Sequence, residues 1–291
     1  MTGASLAAIV TSPHGRSGKT LLARALVDYF MLSGGRPYVF DTDAVERGLH
    51  VLFPGTARVV DLSIVRDQML LFDTLAEPLS EMRVVDVGHH SLTKFFELLR
   101  DTDFIAEARS HGIAPVIFYI PDRKADSFEA GAILRDRFPD CPFVVVENAF
   151  LKAPKRNVRQ GTAYKALKTH KRRFAMPKLA DDVVEALEDR SLSLGNFMRQ
   201  PMSSKGETPV PDGLPAPDGL LPDLRIDLRD WVFRIFREIH RIMVGLAADD
   251  APSDPIAGTP WVADAEDWGP AFDPNRIGRS RTILNKILGK P

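Results

Sequence analysis

Apolar residues fall along this chain in two alternating rhythms. Short apolar runs at 6–10, 37–40, 83–87, 116–120 and 143–146 alternate with stretches where apolar positions recur every three or four residues, at 21–30, 67–82, 92–101 and 127–138. The runs read as strands buried on both faces, and the wider spacing reads as amphipathic helices. A further short strand is expected at 59–62. This alternation predicts an α/β fold with a doubly wound, mostly parallel sheet. Sites in such sheets gather at the carboxyl ends of strands. Those ends carry Thr11, Asp41 and Asp43, Asp86, Pro121 and Asn148.

The pattern changes near Met198. Between Pro201 and Pro222 there are six prolines and three glycines, and Pro-Asp-Gly-Leu occurs twice, a composition that cannot bury enough surface to fold alone. The expected organisation is a nucleotide-binding domain at 1–198, a linker at 199–225, an amphipathic helix at 226–247 and a Pro-rich, basic tail at 248–291. The helix repeats Leu228, Val232, Ile235, Ile239, Ile242 and Leu246 on one face, widened by Trp231, Phe233 and Phe236.

Composition narrows the function classes. A net charge of −1 excludes a globally basic nucleic-acid binder. The single cysteine, Cys141, forms no internal disulfide, and no Cys/His cluster has metal-ligand spacing. With no secretory signal pattern and no apolar run near the ~20 residues of a membrane span, a cytoplasmic protein is expected.

The chemistry concentrates at 8–20, AIVTSPHGRSGKT. A strand, a polar turn and a helix opened by Gly18-Lys19-Thr20 are the context of a phosphate-binding P-loop. Backbone amides of His14, Gly15, Arg16, Ser17, Gly18, Lys19, Thr20 and Leu21 are placed to face phosphates. Lys19 would reach the β- and γ-phosphates and the Thr20 hydroxyl would ligate Mg²⁺. Asp86, ending an apolar strand, is placed as the metal carboxylate, and Asp43 is placed to orient an attacking water. Asp41 is read as a second support for Mg²⁺ or as a hydrogen-bond partner of the loop. His89 and His90 follow Gly88 and are read as solvent-facing polarity rather than a phosphate-sensing pair.

The order of P-loop, Asp41-x-Asp43, Val85-Asp86-x-Gly88, a strand ending in Pro121, a strand ending in Asn148, and then Met176-Pro177 resembles the ParA/MinD superfamily over residues 1–195. The deviant P-loop of that superfamily usually reads Lys-Gly-Gly-x-Gly-Lys-Thr. Within it the sequence looks most like TraL-type ATPases of conjugative transfer, which have a similar Asp-Thr-Asp. The resemblance implies an ATPase that uses ATP and Mg²⁺, dimerises on ATP, and positions or assembles a conjugation, partition or polar machine. It also implies that Asn148 reads the adenine edge. Three departures stand out: His14 holds the place of the signature lysine, Arg16 that of a glycine, and Ala44 follows Asp43 where proline is usual. Slow hydrolysis is the consequence expected, with Arg16 as the substitute cation. The rival readings are a small-molecule P-loop kinase or ligase, and a nucleotide-binding scaffold with little turnover.

Two surfaces point to partners. From 148 to 180 there is no acidic residue but ten Lys and Arg, so 152–173 is a candidate for non-specific nucleic-acid phosphate contact. The helix at 226–247 is expected to bind its own domain, a second subunit or a protein partner. Its Asp227, Asp230 and Glu238 argue against a membrane.

Overall fold

The computed structural model describes residues 5–77, 81–190, 193–199 and 222–250. The chain runs β1 (Ser5–Thr11), α1 (Lys19–Leu32), β2 (Tyr38–Asp41), α2 (Gly48–Leu52), β3 (Ala57–Val59), α3 (Val65–Ala76), β4 (Arg83–Asp86), α4 (Leu92–Asp101), α5 (Phe104–Ser110), β5 (Ile113–Tyr119), α6 (Ala125–Arg137) and β6 (Phe143–Asn148). It continues through α7 (Arg156–Gln160), α8 (Thr162–Lys168), β7 (Arg173–Met176), α9 (Asp181–Arg190), α10 (Leu194–Arg199) and α11 (Pro222–Asp250). The strands form one seven-stranded sheet in the order β3-β2-β4-β1-β5-β6-β7. Every pairing is parallel, as a βαβ chain with helices on both faces requires.

Period-two alternation divides the core into two layers. Leu6, Ala8 and Val10 of β1 face one cluster with the buried residues of α1 and α11. Ala7 and Ile9 face the other, with Leu71, Leu75, Phe95, Leu99 and Phe128 from α3, α4 and α6. At the amino end of β4 the Arg83 guanidinium is fully buried and held by the carbonyls of Thr74, Glu77 and Glu81 and by the Ser5 hydroxyl. β7 writes no apolar run of its own and ends directly before Pro177. Its Arg173-Phe174-Ala175-Met176 alternates exposed and buried positions, the pattern of a half-covered edge.

The cover of that edge is α11. Leu228, Trp231, Val232, Ile235, Phe236, Ile239, Ile242, Met243 and Leu246 are all buried in the α1-side layer. Trp231 Nε1 donates to Pro177 O at 2.8 Å, Arg241 Nη2 donates to Arg173 O at 2.7 Å, and the Tyr29 hydroxyl meets His240 Nδ1 at 2.8 Å. Of the docking sites expected for this apolar face (its own domain, a second subunit or a protein partner), the chain's own domain occupies it. Any partner on 226–247 meets its polar side. Among the described residues, no helix is long and apolar enough to cross a membrane. The tail at 248–291, apart from the end of α11, and most of the linker lie outside the described residues.

Candidate functional site

β1, β2, β4, β5 and β6 deliver their carboxyl ends to one edge of the sheet, and the loop 12–18 lies among them. The loop ends on Gly18 at φ 96°, a left-handed conformation that glycine adopts without strain. A Cβ there would stand 2.5 Å from Asn148 Nδ2 and 2.9 Å from Met176 Cε, so packing excludes one as firmly as the dihedral does. No side chain caps α1 and no acid sits in its first turn. Its first amides, which lack intrahelical acceptors, are thus left for an anion. Ser17 is buried with its hydroxyl unpartnered, while Gly15 and Arg16 form the exposed crest, Arg16 at φ 57°. Leu21 packs its side chain into the α1-side core.

Lys19 is 8% exposed and its ammonium donates to His14 O at 3.1 Å. Burial lowers its pKa, and the nearby carboxylates of Asp86, Asp43 and Glu46 pull it back up. Thr20 Oγ1 donates to Asp86 Oδ2 at 2.6 Å. The other Asp86 oxygen, Oδ1, is buried without a partner. Burial pushes this carboxyl up to about 7, against the Thr20 hydrogen bond and with added repulsion from Asp41. A hydroxyl and a carboxylate in contact, with one carboxylate oxygen orphaned inside the protein, form a donor set that fits a hard divalent cation.

Asp41 is used otherwise. Its Oδ1 accepts the Asp43 amide at 2.9 Å, and its Oδ2 accepts the amides of Leu49 at 2.8 Å and His50 at 3.2 Å. These contacts anchor α2 and the turn after β2, not the P-loop, which with Mg²⁺ was one of the two partners expected for Asp41 from sequence. Asp43 Oδ1 accepts the amides of Val45 and Glu46, and its Oδ2 has no partner among the described residues. Asn148 donates from Nδ2 to Ser17 O at 2.9 Å and accepts the Phe150 amide on Oδ1. These two bonds prop the P-loop, and each end of the amide keeps one further hydrogen-bonding site, as the adenine contact expected from sequence requires.

His14 Nδ1 lies 2.9 Å from Asp122 Oδ2, off the line of a straight hydrogen bond, and its Nε2 lies 3.6 Å from Asp126. This clasp ties the loop to the end of β5. Asp122 and Asp126 were missed in the sequence because nothing local links them to residue 14. His89, expected to face solvent, is half-buried: its ring is tilted 43° to that of His90 with centroids 3.7 Å apart, and lies 3.5 Å from the Gly15 Cβ position. Burial lowers its pKa, followed by His90 and Lys19.

The residues of the basic stretch take up α7, α8 and β7. Glu147, just ahead of the acid-free span, pairs with Lys168 at 2.5 Å and with Arg173 at 3.3 Å. Lys152, Lys155, Arg156, Arg159 and Lys165 are exposed.

No protein-family model matches this sequence, and no match is found among curated proteins. Among the solved structures similar to it are the following three. One is a nucleotide-binding protein from Archaeoglobus fulgidus in complex with ADP, at 13% identity over 63% of this chain and 85% of that one, TM-score 0.38. The second is described as a plasmid partition protein from Borrelia burgdorferi B31 bound to AMPPNP, at 11% identity over 81% and 99%, TM-score 0.40. The third is a chain of the MinC:MinD cell division protein complex of Aquifex aeolicus, at 12% identity over 87% and 100%, TM-score 0.41. At these identities and scores, none of the three assigns this chain a family or an activity.

Proposed function

We propose that this chain is an ATP-binding switch of the ParA/MinD kind, a slow ATPase of the cytoplasm. On this reading it dimerises on ATP and positions or assembles a conjugation, partition or polar complex. The observation that supports it best is the Thr20–Asp86 pair with its orphaned oxygen, set beneath an uncapped helix N-terminus and beside Lys19. On this reading residues 1–198 are the ATPase domain, and helix 226–247, the middle of α11 (Pro222–Asp250), is seated on it.

Thr20 and Asp86 would hold Mg²⁺, which when bound neutralises charge on the β- and γ-phosphates. Lys19 stabilises the charge that develops on the transferred phosphoryl group. Asp43, with its Oδ2 uncommitted, orients the attacking water. Asn148 keeps the loop in shape from below. Arg16, on the exposed crest, is the cation that remains for a partner's phosphates, because His14 is clasped by Asp122 and Asp126. That clasp favours slow hydrolysis over fast.

Titrating a fluorescent ATP analogue with Mg²⁺ tests the reading. Lys19→Ala should weaken binding by roughly 10²–10³-fold, the scale of a lost charge-assisted contact in a dry site. Equal affinity of the variant and the wild type would show that Lys19 contacts no phosphate.

A further inference from the structure

Between the two acids of Asp41-Thr42-Asp43 lies a residue with no role in the chemistry above. Thr42 is 2% exposed, and all its polar groups meet the exit of β4. Its amide donates to Asp86 O at 3.0 Å. Its Oγ1 accepts the Gly88 amide at 2.9 Å, and its carbonyl accepts the Ser91 hydroxyl at 2.8 Å. At the same junction a Cβ on Gly88 would stand 3.2 Å from Asp43 Cα, Asp43 Cβ and Thr42 O, so the two segments touch at a place where only hydrogen fits well.

We infer that Thr42 is the positioning residue for Asp43, clamping the exit of β2 to the exit of β4 so that the Asp43 carboxylate and the Asp86–Gly88 segment share one frame. The inference rests on the ATPase reading. From the front, Asp43 is fixed by the amides of Val45 and Glu46 on its Oδ1. From behind, it is fixed by Thr42. A β-branched side chain has few χ1 choices, so the hydroxyl stays where the Gly88 amide needs it. Removing the hydroxyl leaves that buried N–H without an acceptor, and the two exits are then free to drift apart. A shift of about 1 Å in a water-orienting carboxylate costs rate rather than affinity, on the order of 10²-fold.

The test compares Thr42→Val, Thr42→Ser and Ser91→Ala with the wild type by steady-state ATPase, ATP-analogue affinity and amide hydrogen exchange. Thr42→Val should lower kcat about 10–100-fold with the nucleotide Kd within about 2-fold, and should lose exchange protection at 43–47 and 88–91 together. Thr42→Ser keeps the acceptor and should restore kcat to within about 3-fold of the wild type. If Thr42→Val does not fold, Ser91→Ala decides, because it removes one bond at a half-buried site and should lower kcat about 3-fold with Kd unchanged. Wild-type kcat in Thr42→Val or in Ser91→Ala, or a Thr42→Ser that behaves like the valine variant, overturns the inference and leaves the ATPase reading standing. Wild-type protein that binds ATP with Mg²⁺ and never turns it over overturns the ATPase reading instead, and with it any positioning role for Thr42.

Discussion

The two flanks of the sheet handle charge in opposite ways. Around β1, β2 and β4, Lys19, Asp41 and Asp86 are at most 8% exposed, and their charge state is set by burial and a few directed hydrogen bonds. Around β6, β7 and α8, the cations lie in water, and Glu147 is the acid paired with two of them. Buried charges without full compensation carry a standing cost, which a ligand can relieve. Exposed ones contribute little to the fold and act through their summed field. On the function proposed above, the first flank serves chemistry and the second is a candidate for contact. The apolar cover of α11 holds the second flank in place.

The largest stability effect should come from breaking that cover. Trp231 is 3% exposed and its indole N–H holds Pro177 O. Trp231→Ala should cost about 3–5 kcal/mol in urea unfolding, as a large aromatic lost from a packed layer does. Arg234→Ala, on the exposed face of the same helix where Arg234 pairs with Asp230, should change stability by less than about 0.5 kcal/mol. Equal effects from the two variants would mean that the helix does not dock on its own domain in solution.

Asp86 is the next largest effect and tests the first flank. Its folded carboxyl stands at about 7 against an ordinary 3.8, so the folded state binds more protons than the unfolded state between those values. Stability of the ligand-free protein should therefore fall as pH rises from about 4 to about 7, and the contribution should be flat above that. Asp86→Asn removes this slope. It should stabilise the ligand-free protein at pH 8 on the order of 2 kcal/mol, while abolishing any Mg²⁺ dependence of nucleotide binding. Unfolding curves at pH 5 and pH 8 decide the matter, since parallel pH profiles for variant and wild type would remove Asp86 as the cause.

Most of the sheet was legible in the sequence because its inner strands are buried on both faces and write continuous apolar runs. Phe143-Val144-Val145-Val146 is one such run. The edge writes no such run, because β7 has one buried face and only four residues to show it. α2 and α7, at five residues each, are too short to carry a helical period. The strand–loop–helix arrangement of β1, 12–18 and α1, and the place of Asp86 at the end of β4, were legible from local spacing. What spacing could not give was the use of each carboxylate. Asp41 and Asp86 end neighbouring strands in the same way, yet one turns its oxygens to backbone amides and the other keeps an oxygen unpartnered. Thr42, Asp122 and Asp126 act across the sheet edge, where no sequence interval connects them to their partners. The apolar face of α11 was read correctly from its period, whereas its docking surface on α1 and β7 exists only in three dimensions.

The smallest effect on the fold, and the sharpest test of the second flank, lies in its exposed cations. Lys168 and Arg173 share Glu147 as a neighbour, so reversing them would rearrange a local ion-pair network as well as remove charge. Lys152, Lys155, Arg156, Arg159 and Lys165 are the better targets. Replacing any one by alanine should move Tm by no more than about 2 °C, since exposed charges of this kind contribute little to folding. If the flank binds nucleic-acid phosphate, retention on unrelated DNA sequences should weaken steeply with salt in the wild type. Each alanine should then lower the slope of log affinity against log salt by about one, equally for every DNA sequence. A salt slope that stays at the wild-type value while all five are replaced would place the contact elsewhere. Wild-type protein that does not bind DNA at low salt, with or without ATP, would leave this flank as a protein-facing or solvated surface.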